Sequence, residues 1–239
     1  MDDNTGYALR VCVLFALPEE AAPFRKQRHS FGWVVSLGVS GPGFANAATH
    51  AGLLLDDPGP KIKCLIVCGF AGGLDPDLVP GDLLVANQVL RDLEPPLQPD
   101  AELLAAANSF CLPGYIPCMA PLITGDRVLI SAAEKRALFA KTPAVAVDME
   151  TYGAVTAAEE RGIPWLAVRV ITDGAQHELP LDFNAFTAPD GSLNRGRIVA
   201  ATLARPWKIP AMAQLGKRSK QAAGNLAVFL ESLLQALPD

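Results

Sequence analysis

Histidine is scarce in this 239-residue chain, at three, and the five cysteines are odd in number and form no C-x-x-C pair. Scattered histidines and unpaired thiols supply no ligand set for zinc, so no metal is expected. Cys12, Cys64, Cys68, Cys111 and Cys118 stand mostly in apolar runs, where free thiols are buried. A membrane-length segment is also lacking: the apolar run from Cys64 to Leu74 is too short to cross a bilayer and carries three glycines. Met1-Asp2-Asp3-Asn4 has none of the positive charge that opens a secretory signal, which makes the cytoplasm the expected location. A net charge of −5 argues against nucleic acid as a partner. Acidic residues are in turn missing from Gly191 to Leu230, where Arg195, Arg197, Arg205, Lys208, Lys217, Arg218 and Lys220 go unanswered.

What is present is apolar sequence in short runs. Hydrophobic residues make up 50% of the chain, enough for the core of one α/β domain. We place that core at about 8–190, with a basic helical tail over 191–239. Leu9 to Leu17 predicts a strand, ended by Pro18-Glu19-Glu20, and Pro18 with two acids suits a helix start. Phe31 to Val39 is strand-like and runs into the turn Ser40-Gly41-Pro42-Gly43, ahead of a helix from Phe44 to Leu55. A glycine turn opening a helix can hold an anion, although Pro42 removes one N–H donor. Ile62 to Cys68 is a third strand, followed by Gly69-Phe70-Ala71-Gly72-Gly73, which is either an ordinary turn or a place where backbone approaches a ligand. Ser131 with Glu134 forms a capping box for a helix to Ala140.

Two later runs organise the rest. Ala144 to Asp148, leading into Met149-Glu150, and Val168 to Asp173 are apolar strands that each stop on acidic residues. Ligands of open α/β sheets sit beyond the carboxyl ends of strands, which predicts Glu150 and Asp173 over one pocket. Strands and helices alternate throughout, so the class is α/β with a parallel or mixed sheet.

These pieces, taken together, resemble the purine nucleoside phosphorylase/nucleosidase superfamily. Ala16-Leu17-Pro18-Glu19-Glu20, Ser40-Gly41-Pro42-Gly43, Gly69 to Leu74, Thr124-Gly125-Asp126, Val147-Asp148-Met149-Glu150 and Arg169 to Asp173 run in family order. The likeness is strongest to the 5'-methylthioadenosine/S-adenosylhomocysteine nucleosidase branch. In the tail, Asp190-Gly191-Ser192, Arg205-Pro206 and Ile209-Pro210 look like hopanoid-associated members thought to act on adenosylhopane.

The resemblance implies a three-layer α/β fold with a central mixed sheet flanked by helices. It implies a homo-oligomer, with a dimer favoured, that cleaves the N-glycosidic bond of a purine nucleoside without a cofactor. By the same resemblance Asp173 protonates the base, Glu150 holds the ribose hydroxyls, Met149 packs on the sugar, Glu20 binds the attacking water and Arg169 lies beside it. Gly72, Ser40, Thr172, Phe70, Val128 and Asp148 complete the expected substrate contacts. A purine anion leaves poorly, so Asp173 is expected to hold a proton, while Glu150 stays charged against the developing oxocarbenium ion.

Phosphate as co-substrate would need a cationic cradle. Glu20 in the nucleophile pocket repels phosphate, and no arginine flanks Gly69 to Gly73, which favours water. A phosphorylase and a non-catalytic nucleoside-binding protein are the alternatives. Three positions depart from the nucleosidase pattern: Phe70 in place of a small hydroxyl residue, Val128-Leu129 in place of an aromatic, and Asp148 in place of glutamate. The basic tail, with an amphipathic helix over Ala211 to Leu234, is either a solvated face or a contact for an anionic membrane surface.

Overall fold

The computed structural model describes residues 9–27, 33–109, 117–188 and 194–237. Phe31, where a strand was expected to start, and Ile116, the expected start of a strand to Ile123, lie outside these residues, like Cys111 and Asp190 to Ser192. In chain order the elements are β1 (Leu9–Phe15), α1 (Pro18–Lys26), β2 (Val34–Val39), α2 (Phe44–Asp56), β3 (Lys61–Gly73), β4 (Leu83–Leu90), α3 (Ala101–Ser109), β5 (Cys118–Thr124), α4 (Ala132–Phe139), β6 (Ala146–Asp148), α5 (Thr151–Glu159), β7 (Trp165–Asp173), α6 (Arg195–Leu203) and α7 (Ile209–Ala236). A 3-10 turn at Phe183–Phe186 precedes α6.

Among the described residues the strands form one mixed sheet in the order β2-β1-β3-β6-β5-β4-β7, and β7 pairs again with β3. The last five strands therefore close into a ring. β1, β2, β3 and β7 run one way, and β4, β5 and β6 run the other.

The strand interiors are apolar on both faces because helices cover both. Successive residues alternate between two cores. Val11, Val13, Ile66, Cys68, Val168 and Val170 point into one, shared with α1 and α7. Cys12, Leu14, Leu65, Val67, Ala167 and Ile171 point into the other, shared with α2 and α5. α2 and α5 lie so close that a Cβ on Gly153 would stand 2.4 Å from the Phe44 carbonyl oxygen. Pro210 starts α7 rather than breaking it, since its missing N–H costs nothing in a first turn. Leu226, Phe229, Leu230, Leu233 and Leu234 of α7 sit in the first core, so the stretch read as a tail supplies core side chains. None of the described helices is long and apolar enough to cross a membrane.

Two local expectations change. The glycine stretch 69–73 is strand, the last part of β3, not a turn. The two acid-ended strands also meet for a different reason than a shared parallel edge. β6 runs antiparallel to β3 and overlaps it only at Gly72↔Val147 and Gly73↔Ala146, while Gly72 also pairs with Asp173 of β7. The ends of β6 and β7 converge at this corner, where the ring closes.

Candidate active site

Glu20 stands at the third position of α1 and turns back over the helix start. Its Oε2 accepts hydrogen bonds from the N–H groups of Ala16 (2.9 Å) and Leu17 (2.8 Å), and Oε1 accepts from Phe70 N–H (2.9 Å). One carboxylate thus caps the helix and ties it to β3. Burial pushes its pKa up, opposed by the nearby Arg169 guanidinium and by the three N–H donors.

Arg169 of β7 is fully buried. Its Nη2 pairs with Asp148 Oδ2 at 2.6 Å and, with Nε, donates to Thr151 Oγ1. Nη1 has no hydrogen-bond partner among the described residues. It lies over Gly69, where a Cβ would be 2.2 Å from Nη1 and 3.0 Å from Glu20 Oε1. Only a residue without a side chain lets the guanidinium and Glu20 approach the same point.

Asp148 was expected to touch substrate. Its side chain has no exposed surface: Oδ1 accepts from Thr124 Oγ1 (2.7 Å), and Oδ2 serves Arg169 and the N–H and hydroxyl of Thr151. It anchors the guanidinium instead. Ser40 also departs from expectation. Its hydroxyl donates to the Gly41 carbonyl at 2.7 Å, and the residue lines neither cavity described below.

Glu150, at the N-terminus of α5, accepts from Gly43 N–H at 2.7 Å and from Met149 N–H at 3.2 Å. Burial, reinforced by Asp148, pushes its pKa up to about 7 against the pull of Arg169. That direction is opposite to the one expected of a group meant to stay charged. Desolvation wins because the single guanidinium is shared among three acids.

Asp173 ends β7 with both oxygens held. Oδ1 accepts from Thr172 Oγ1 at 2.9 Å, and Oδ2 pairs with the Lys135 ammonium. Gly72 leaves the space beside it open, since a Cβ there would be 3.4 Å from Oδ2. Lys135 was not among the expected site residues. A lysine one residue after a capping glutamate reads as solvated surface, and only its zero exposure reveals otherwise.

These groups converge on an inner cavity of about 180 Å³, lined by Glu20, Gly72, Lys135, Asp148, Glu150 and Asp173. It opens into an outer cavity of about 530 Å³, lined by Phe44, Asn46, Phe183, Thr187, Leu215 and Ser219. Phe70, Val128, Met149 and Thr172 line both. Asn184 was also missed. Its side chain accepts from Val128 N–H (2.9 Å) and donates to Val128 C=O (3.0 Å), which fixes the loop after β5 through its backbone.

One family model matches the chain over residues 10–204. The chain belongs to the phosphorylase superfamily. Among curated superfamily relatives, the 5'-methylthioadenosine/S-adenosylhomocysteine nucleosidase of Mycobacterium bovis is 26% identical, over 75% of this chain and 91% of that protein. Solved superfamily structures share the fold. The corresponding nucleosidase of Helicobacter pylori superposes with a TM-score of 0.72 at 19% identity, covering 95% of this chain and 98% of that one. Futalosine hydrolase of the same organism gives 0.70 at 18%, covering 95% and 97%.

Proposed function

We propose that this chain is a nucleosidase that hydrolyses the N-glycosidic bond of a purine nucleoside, adenine being the expected base. One observation carries the choice of water over phosphate. The N–H groups that could cradle a phosphate are already bonded to carboxylates: Gly43 to Glu150, and Ala16, Leu17 and Phe70 to Glu20. A dianion entering there would meet two acids in place of free donors. Two matched relatives, a methylthioadenosine/S-adenosylhomocysteine nucleosidase and a futalosine hydrolase, are named for hydrolytic chemistry.

The nucleoside lies with its sugar over Met149 and its hydroxyls on Glu150. Asp173 delivers a proton to the base as the glycosidic electron pair leaves with it. Water adds to the anomeric carbon from the side of Glu20, whose charge the buried Arg169 guanidinium steadies. The positive charge that grows on the sugar draws Glu150 back to its ionised form.

The outer cavity supports a 5'-modified nucleoside, because Phe44, Phe183 and Leu215 offer apolar contact to a substituent there. A second reading of the C-terminal segment, contact with an anionic membrane, is supported by exposed Val199, Leu203, Trp207 and Ile209 among the basic residues.

Base release from adenosine, 5'-methylthioadenosine and S-adenosylhomocysteine, with and without phosphate, is the deciding assay. Free sugar formed without phosphate is expected. Sugar 1-phosphate would make the chain a phosphorylase, and binding without release would make it a non-catalytic nucleoside binder.

A further inference from the structure

Lys135 is a residue that stability alone does not justify. It has no exposed surface, and it follows Ser131 and Glu134 at the start of α4, where the helix dipole disfavours a cation. Burying an ammonium costs several kcal/mol, on the order of what a single good ion pair returns. Its three N–H donors nevertheless find three acceptors: Asp173 Oδ2, the Gly174 carbonyl at 2.9 Å and the His177 carbonyl at 3.1 Å. Glu134 accepts from the N–H groups of Ile130 and Ser131 and pairs with Arg127, so the turn that presents Lys135 is itself held. All of this fixes one ammonium on one oxygen of the residue that meets the base.

The geometry points to Lys135 and Asp173 acting as one proton-donating unit, with the ammonium as the proton store and the carboxyl as the contact to the base. This rests on the nucleosidase reading above and deepens it. Oδ1 is occupied by the Thr172 hydroxyl, whereas Oδ2 is shared between Lys135 and the open side of Gly72. As the bond between sugar and base breaks, its electron pair stays on the base. A proton leaves Nζ for Oδ2 and passes from Oδ2 to a ring nitrogen, so the base departs neutral and the amine is left neutral. The water that bonds to the anomeric carbon loses one proton, which restores the ammonium. Sugar plus neutral base is the balanced product. Lys135 is a positioning residue by contact, since it reaches the substrate only through Asp173.

A double-mutant cycle on base release tests this. Residues that work as a unit are strongly non-additive, so losing either costs about as much as losing both. Lys135→Met and Asp173→Asn should each lower kcat by about 10²–10⁴-fold with KM changed less than about threefold. Lys135→Met added to Asp173→Asn should then cost less than about threefold more. Lys135→Gln is the second variant: its amide can still bond the Gly174 and His177 carbonyls, so it preserves the fold, and the same loss is expected. Thermal melting and adenine binding check that each variant keeps its site. Full turnover in Lys135→Gln or Lys135→Met, or an equal penalty with and without Asp173, would overturn the inference alone. Unimpaired Asp173→Asn would remove Asp173 as the acid and the inference with it, whereas no base release from the unaltered chain would sink the nucleosidase reading on which it stands.

Discussion

Gly69 and Arg169 are register partners across the β3–β7 ladder, and the guanidinium lies where a Cβ of residue 69 would be. Arg169 cannot retreat, because Nε and Nη2 are tied to Thr151 and Asp148. Gly69→Ala should therefore destabilise the protein by about 1–3 kcal/mol and lower kcat/KM by more than tenfold. Denaturant titration and base-release kinetics check both. A fully active Gly69→Ala enzyme would show that Arg169 need not sit above that glycine.

Glu150 gives the protein a pH signature. Its folded-state pKa is raised from 4.5 to about 7, so the folded protein binds more protons than the unfolded chain between those values. Stability is then highest below the window and falls as pH rises through it, by about 3 kcal/mol. Glu150→Gln should flatten the fall, read as Tm against pH. Because ionised Glu150 is the form that supports the reaction, kcat/KM should rise with pH to a plateau above about 7, as kcat/KM reports the free enzyme.

Two ion pairs should differ widely in worth. Asp148→Asn takes the nearest counter-charge from a fully buried guanidinium and should cost about 3–5 kcal/mol. Asp126→Asn removes a carboxylate that is 81% exposed and pairs with Arg91, and should cost less than about 1 kcal/mol. Urea denaturation of the two variants side by side measures the contrast.

The outer cavity predicts a chain-length effect. Leu215→Asn should raise KM for a 5'-hexylthio nucleoside by about tenfold, the worth of a few buried methylenes. The 5'-methylthio compound should change by less than about twofold. Equal effects on both would place the substituent elsewhere.

Much of this site was legible in the sequence, and for physical reasons. Strand runs ending in acids marked Glu150 and Asp173, whereas Glu20 read by itself as a helix start and only the family resemblance pointed to it. Such runs are local chemistry written in adjacent residues. Ser40 turns to the Gly41 carbonyl and Asp148 to Arg169, and a motif tells which residues are near a site, not which way a side chain turns. Lys135 and Asn184 were missed because their roles depend on contacts 38 and 56 residues away along the chain. The glycines of 69–73 gave the right suspicion, close approach, and at Gly69 the body that approaches is Arg169. Ring closure was not legible, because antiparallel β6 supplies only three residues.

The ring has a bearing on how such a protein could acquire new substrates. A hoop of mutually bonded strands cannot be widened at one point without breaking pairs elsewhere, so the acids mounted on it keep their spacing. The outer cavity is walled instead by α2, the Phe183 turn and the exposed early part of α7, which are free of that constraint. Tailoring for a different 5' group can proceed on that rim while the machinery for breaking the bond is inherited unchanged.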